Sequence, residues 1–287
     1  MKTSNKLLIA FASALILIPL MGMIYVSAVK YKKGSYTDQV DVVSKSEKNF
    51  NTPTENMESK AISTAFESID VEDAKQHGLY INFVKDENYG VKVPKELKDS
   101  INFKVDEKGQ LQIAFNMKRN ERGNRYITIH VYGKNLKQMN ISNANSLYFD
   151  VTGDSVQLNL RKIKSAGLNK DITLNALNIT TDEVESLDVN EIKVKSLNVN
   201  LNGTNFKSDE SSYDSLSITA AGKTEIELNG SDNKKDKKYF IKKLFIKTLN
   251  EADVKFENIK VDQCSGSFSD QTKVQMPAVN LNQMYKR

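Results

Sequence analysis

The chain has 287 residues, with 41 Lys and Arg against 36 Asp and Glu, a formal charge of +5, no tryptophan, four prolines and one cysteine. A charged fraction of 27% beside 39% apolar residues is ordinary for a folded protein, so wholesale disorder is excluded. The single thiol, Cys264, excludes an intrachain disulfide framework and a multi-cysteine metal site, and lysines dispersed among carboxylates, with no aromatic-interleaved basic stripe, argue against a nucleic-acid partner.

Residues 7–29 carry no charge and are dominated by Leu, Ile, Ala, Met and Val, interrupted by Pro19 and Gly22. As a helix this stretch would reach ~34 Å, enough for a hydrocarbon core of ~30 Å. The pattern predicts a signal anchor over residues 1–33 with a transmembrane helix at 7–29, the membrane being that helix's partner; a signal cleaved at Val26-Ser27-Ala28 is the alternative. Lys2 and Lys6 on one side nearly balance Lys30, Lys32 and Lys33 on the other, so orientation rests on the large domain behind the helix. The expectation is a single-pass cytoplasmic-membrane protein of the cell envelope, with its C-terminal domain in the periplasm or outside the cell. No cysteine follows the apolar run to carry a lipid, and residues 34–60, rich in Ser, Thr, Asn, Asp, Glu and Lys, read as a disordered polar tether.

Beyond the tether, apolar and polar residues alternate in short bursts: Phe66 to Val71, Leu79 to Phe83, Ile101 to Val105, Leu111 to Phe115 and Ile127 to Val131. Alternation of this kind marks strands with one face buried. Asp106-Glu-Lys-Gly109 and the segment 118–124 supply hairpin-type loops. From Met139 the bursts become periodic. Met139-Asn-Ile141, Leu158-Asn-Leu160, Leu177-Asn-Ile179, Leu197-Asn-Val199 and Leu216-Ser-Ile218 follow one another at 19 or 20 residues, and Leu244-Phe-Ile246 continues them after a charged insertion at 229–238. A second set, including Leu147-Tyr-Phe149, Leu187-Asp-Val189 and Ile226-Glu-Leu228, runs half a period away. Two short strands per period predict an all-β solenoid over residues 61–276, each coil sealing its neighbour's core, followed by a C-terminal tail at 277–287 with no second anchor. Turns are expected at Thr152-Gly-Asp154, Ser165-Ala-Gly167, Asn202-Gly-Thr204, Ala221-Gly-Lys223 and Asn229-Gly-Ser231. An antiparallel β-sandwich is the alternative architecture.

Over about residues 61–269 this body resembles the bacterial autotransporter-adhesin head domain called the GIN domain. The resemblance is carried by Phe66-Glu-Ser-Ile-Asp-Val71, Val105-Asp-Glu-Lys-Gly-Gln-Leu-Gln-Ile113, Ile127-Thr-Ile-His-Val-Tyr132 with Leu136, and the Leu-x-Ile/Val coils. It implies a right-handed parallel β-helix-like fold and export. Where the family shows Ser-Gly-x-Gly turns, this chain has Ser142-Asn-Ala-Asn-Ser146, and asparagine is the residue best able to stand in for glycine in a left-handed turn.

The sequence singles out no catalytic residue, metal ligand or cofactor. His77 and His130 lie far apart, and His130, between Ile129 and Val131, should point outward. Phosphate-loop, nucleophile-elbow and His-Glu-x-x-His motifs are absent. The enzymatic alternative is a β-helix polysaccharide-processing enzyme using Asp150, Asp154, Asp171, Asp182, Asp188 or Asp214, but these fall at differing phases of the repeat. The leading expectation is a non-enzymatic adhesion or envelope scaffold module. Its candidate binding residues are Asn140, Asn159, Asn178, Asn198 and Ser217, the middle residues of their triplets, which would stack on one exterior face as a hydrogen-bonding surface for glycan or an envelope protein. A third possibility is an envelope-signalling partner of a cytoplasmic-membrane protein, although residues 1–6 leave no room for a signalling domain.

Overall fold

The computed structural model describes residues 49–117, 126–230 and 239–285, together with Lys6, Phe11, Ser13, Leu15, Pro19 and Met21. Residues 34–48 of the expected tether at 34–60, the loop at 118–124 and the insertion from 231 to 238 lie outside the described residues, while residues 49–60 are described and end in a strand. Residues 1–46 form a unit of their own, of which the six described residues are helical. The expected transmembrane helix over 7–29, and with it the single-pass membrane placement, is not supported: among the described residues no helix is long and apolar enough to cross a membrane. Most of 7–29 itself lies outside the described residues. The helix described over its whole length, α1 (Ala278–Tyr285), has eight residues and reaches only ~12 Å.

The described residues between 49 and 285 are mostly strand. The first seven are β1 (Met57–Ala61), β2 (Ser68–Val71), β3 (Gly78–Lys85), β4 (Gly90–Pro94), β5 (Ile101–Val105), β6 (Gln110–Phe115) and β7 (Tyr126–Gly133). Every alternating burst of the sequence is among them, while β1, at the end of the expected tether, and β4 carry weaker alternation. Asp106 closes the β5–β6 hairpin: its Oδ1 accepts the backbone N–H groups of Lys108 and Gln110, each at 2.9 Å, and Gly109 takes φ 73°. Those backbone donors, Gln110 first, hold the Asp106 carboxyl below the usual carboxylate range.

Three long strands follow, β8 (Gln138–Val151), β9 (Ser155–Leu168) and β10 (Thr173–Asn190), then β11 (Lys193–Asn202), β12 (Asn205–Asp209), β13 (Tyr213–Ala221), β14 (Thr224–Asn229), β15 (Phe240–Thr248), β16 (Ala252–Glu257), β17 (Lys260–Ser267) and β18 (Thr272–Gln275). All 18 belong to one hydrogen-bonded system, which divides into two ladders. The first runs β5, β6, β2, the leading half of β8, of β9 and of β10, then β11, β13, β15 and β17. The second runs β1, β4, β7, β3, the trailing half of β8, of β9 and of β10, then β12, β14, β16 and β18. Pairing is parallel from β6 onward in the first ladder and from β7 onward in the second, and antiparallel for β1–β4, β4–β7 and β5–β6. The expected right-handed parallel β-helix over 61–276, behind a membrane helix, is thereby corrected to stacked parallel rungs with an antiparallel end. Within that end, β5 and β6 are antiparallel because the hairpin at 106–109 is too short for the crossover a parallel pair requires.

The aliphatic members of the triplets face inward. Leu177, Leu197, Leu216 and Leu244 form one stacked row, each at most 1% exposed, and Ile179, Val199, Ile218 and Ile246 form the next. Between the ladders, β8, β9 and β10 turn a corner without breaking, through single left-handed residues: Asn143, Lys162 and Glu183, with φ of 57°, 55° and 54°. Asn143 is the predicted substitute for glycine. Gly203 and Gly222 occupy the same corner in the next rungs, at φ 63° and 72°. The predicted turn at 165–167 is instead the interior of β9. Gly167 is there for space: an added Cβ would lie 2.5 Å from Tyr148 Cε1, whose ring lies over it.

Helix α1 lies along β17, the last strand of the first ladder. Asn280 Nδ2 donates to Val261 O at 3.0 Å, Gln283 Nε2 donates to Asp262 O at 3.0 Å, and Gln283 Oε1 accepts from the Cys264 backbone N–H at 2.8 Å. The expected tail is thus a cap that satisfies an open strand edge with side-chain amides.

Candidate functional site

All five candidate residues, Asn140, Asn159, Asn178, Asn198 and Ser217, face outward on the first ladder and are half-buried. They do not form one row. Asn140 stands beside Asn159, but Asn159 is paired with Thr180, and Asn178 with Gln157. The step from β9 to β10 is 21 residues in register, whereas the triplets are 19 apart, because residues 169–172 lengthen the connection. A two-residue slip keeps every side chain on its own face, so alternation cannot reveal it.

Two rows result. One contains Asp70, Asn140, Asn159, Thr180, Asn200 and Thr219; the other contains Gln138, Gln157, Asn178, Asn198 and Ser217. The row-mates missed by a triplet-centred reading were marked by the polar residue two positions away, as in Gln157-Leu-Asn159 and Asn198-Val-Asn200. Amides bond from rung to rung: Asn159 Nδ2 to Asn140 Oδ1 and Asn198 Nδ2 to Asn178 Oδ1, both at 2.8 Å, and Asn140 Nδ2 to Asp70 Oδ1 at 3.2 Å. Within a strand, Gln138 and Gln157 donate to Asn140 and Asn159 at 2.9 and 3.2 Å. Each amide has two donor hydrogens and two acceptor lone pairs, so these ladders orient the side chains and leave further capacity directed to solvent. From β8 to β13 the two rows carry no charge.

The outer face of the second ladder has the opposite character. Asp188, Lys207, Glu227 and Lys255 alternate in sign down one row. Lys207 pairs with Asp209 at 3.0 Å and Lys255 with Glu257 at 2.8 Å. Desolvation pushes the Asp188 carboxyl upward against the opposing pull of Lys207, and the hydrogen bond to Asp209 raises Lys207. Along this row the charges alternate, while Glu225 and Asp253 stand side by side in the next.

At the antiparallel end of the second ladder a polar cluster is closed rather than open. Lys92 and His130 are fully buried, and Asp150 nearly so. His130 is therefore not the exposed residue that alternation predicts. Tyr80 hydroxyl donates to Asp150, Asn82 Nδ2 lies 3.3 Å from His130 Nδ1, and Lys92 Nζ donates to Thr52 O at 2.7 Å and to Asn49 O and Thr54 Oγ1 at 3.1 Å, above the Tyr132 ring. Lys92 thereby fastens residues 49–54 over the sheet. Lys92→Met should cost about 2–3 kcal/mol, the worth of hydrogen bonds to a charged group plus the stranded acceptors, and should open residues 49–54 to limited proteolysis at native temperature.

The six aspartates are not assembled. Asp154 accepts from Asn175 at 2.6 Å, Asp182 from Asn202 at 2.8 Å, and Asp214 pairs with Lys242 at 2.6 Å, while Asp150 serves Tyr80. Among the described residues no three His, Cys, Asp or Glu come together as a metal site.

The sequence family described as "Putative auto-transporter adhesin, head GIN domain" matches residues 65–237, more than half of the chain. The chain belongs to this family. The resemblance carried by the opening strand, the charged hairpin and the coils of this GIN-domain chain is confirmed. No curated protein matches it. Among solved structures, a putative adhesin from Parabacteroides merdae is similar at 13% identity, over 76% of this chain and 91% of that one, with a TM-score of 0.46. One from Parabacteroides distasonis covers 79% and 95% at 13% identity and TM-score 0.44. Another, from Bacteroides fragilis, covers 73% and 98% at 13% identity and TM-score 0.40.

Proposed function

We propose that this GIN-domain chain is a non-enzymatic adhesion module of the cell envelope or exterior, and that the outer face of its first ladder is the contact surface for a hydroxyl-rich glycan. The observation that supports this reading is the pair of uncharged rows from β8 to β13, amide and hydroxyl groups held in order by rung-to-rung bonds, set against a second face that is densely charged. Groups that both donate and accept, spaced at the ~4.8 Å interval of a sheet, match a surface of sugar hydroxyls with little ordering cost, because the ladders already fix the side chains.

The test is binding of the full chain to a printed array of neutral and acidic glycans. Thr180→Glu, between Asn159 and Asn200, places a charge in one row without touching the amide bonds, and should reduce binding about tenfold or more by burying an unpaired carboxylate. Glu227→Gln with Lys255→Gln, on the second face, should change nothing. Equal binding by the Thr180→Glu variant, with its melting transition intact, would overturn the proposal.

A further inference from the structure

The uncharged face ends at β15, where its character changes. Phe245 occupies the position that Asn178, Asn198 and Ser217 hold in earlier rungs, yet it is 41% exposed. Lys243 and Lys247 stand two residues to either side, both exposed on the same face. Their neighbours on the flanking strands are uncharged: Ser215 and Gln263 beside Lys243, Thr219 and Ser267 beside Lys247, Ser217 and Ser265 beside Phe245. Nearby carboxylates are engaged elsewhere, Asp214 by Lys242 at 2.6 Å and Asp262 by Lys260 at 2.7 Å. Among the described residues, Lys243 and Lys247 have no ion-pair partner.

We infer that Lys243, Phe245 and Lys247 form a subsite for an acidic sugar, so that the ligand of this face is a carboxylate-bearing glycan. The inference rests on the proposed contact face and names its ligand class. An exposed ring offers an apolar platform to the C–H face of a pyranose, and two cations about 13 Å apart along the strand can each take a carboxylate. The continuous Asn, Ser and Thr field beside the subsite would carry the uncharged sugars between. A bilayer is a poorer match, since an interfacial anchor needs a broad apolar face, and here one ring is set in hydroxyls and amides. An acidic peptide strand is also a poorer match, because the backbone groups of β15 are committed to β13 and β17.

The probe is immobilised hyaluronan, in which acidic and neutral sugars alternate, beside its carboxyl methyl ester and vesicles of anionic phospholipid. The full chain should bind hyaluronan with an affinity that falls as salt rises, and bind the ester and the vesicles weakly. Lys243→Gln with Lys247→Gln should lose about tenfold in affinity and most of the salt dependence, and Phe245→Ala about fivefold with the salt dependence kept. All three side chains are exposed, so melting should not move. Binding of the ester as tightly as of the acid overturns the acidic subsite while leaving the contact face standing. Hyaluronan binding unaffected by the lysine replacements, binding to vesicles alone, or no binding to either polymer also overturns it. The contact face is scored separately by the Thr180→Glu variant on the array, a position flanked by Asn159 and Asn200 and away from Lys243 and Lys247.

Discussion

Leu197→Ala should lower the free energy of unfolding by about 2–5 kcal/mol, whereas Asn198→Ala, one position along the same strand, should cost no more than about 1 kcal/mol. Leu197 is fully buried between Leu177 and Leu216, so its truncation removes contacts on both sides of the rung and leaves a cavity that flanking parallel strands, locked by backbone hydrogen bonds, cannot collapse into. Asn198 gives up one rung-to-rung hydrogen bond, to Asn178, on a face where water can replace it. Urea unfolding of the two variants measures the contrast directly. Comparable losses would mean that the inward and outward faces of β11 are misassigned.

Removal of α1 by ending the chain after Pro277 should increase self-association relative to the full chain. The truncation strips the partners of Val261 O, Asp262 O and the Cys264 N–H, and leaves β17 as an open edge beside a partly covered core. Stacked folds end in caps because an uncapped rung is a template for another chain. Cys264 reports the same event. Burial pushes its thiol up to about 11, so at pH 8 the intact protein holds it protonated and shielded, and alkylation should be slow until the pH approaches that value. Truncation should bring the thiol towards its ordinary range and speed alkylation at pH 8, while light scattering should show growth with protein concentration. A truncated protein that associates no more than the full chain, with an unreactive Cys264, would show that α1 is not a cap.

The strands were legible wherever one face is buried and the other wet. Phe66 to Val71 and Ile127 to Val131 announce themselves by alternation, and the Leu-x-Ile/Val triplets announce a stack. Short strands with weaker alternation, such as β1 and β4, did not. The corner at 142–146 was readable because Asn143 is a residue type that tolerates positive φ, but Lys162 and Glu183 adopt the same conformation with no such signal. Left-handed backbone costs ~1–2 kcal/mol in such residues, and it persists at Lys162 and Glu183 because the strands on both sides of the corner are fixed by the ladder. His130 was read as exposed because alternation assigns a face, and a face can itself be covered, as residues 49–54 cover Lys92 on the same row.

By itself the sequence determined that its alternating bursts and triplets between Phe66 and Ile246 are strands with aliphatic side chains turned inward, that the triplet asparagines face outward, and that the chain carries a GIN domain. Period and alternation are local, so they survive without knowledge of which strand lies beside which. Only the tertiary structure decided that the five candidate residues fall into two rows, that Phe245 stands among uncharged neighbours with Lys243 and Lys247 unpaired, and that the last residues cap an edge. Each of these depends on register between strands about 20 residues apart, and a two-residue shift in register leaves the pattern of inward and outward residues unchanged.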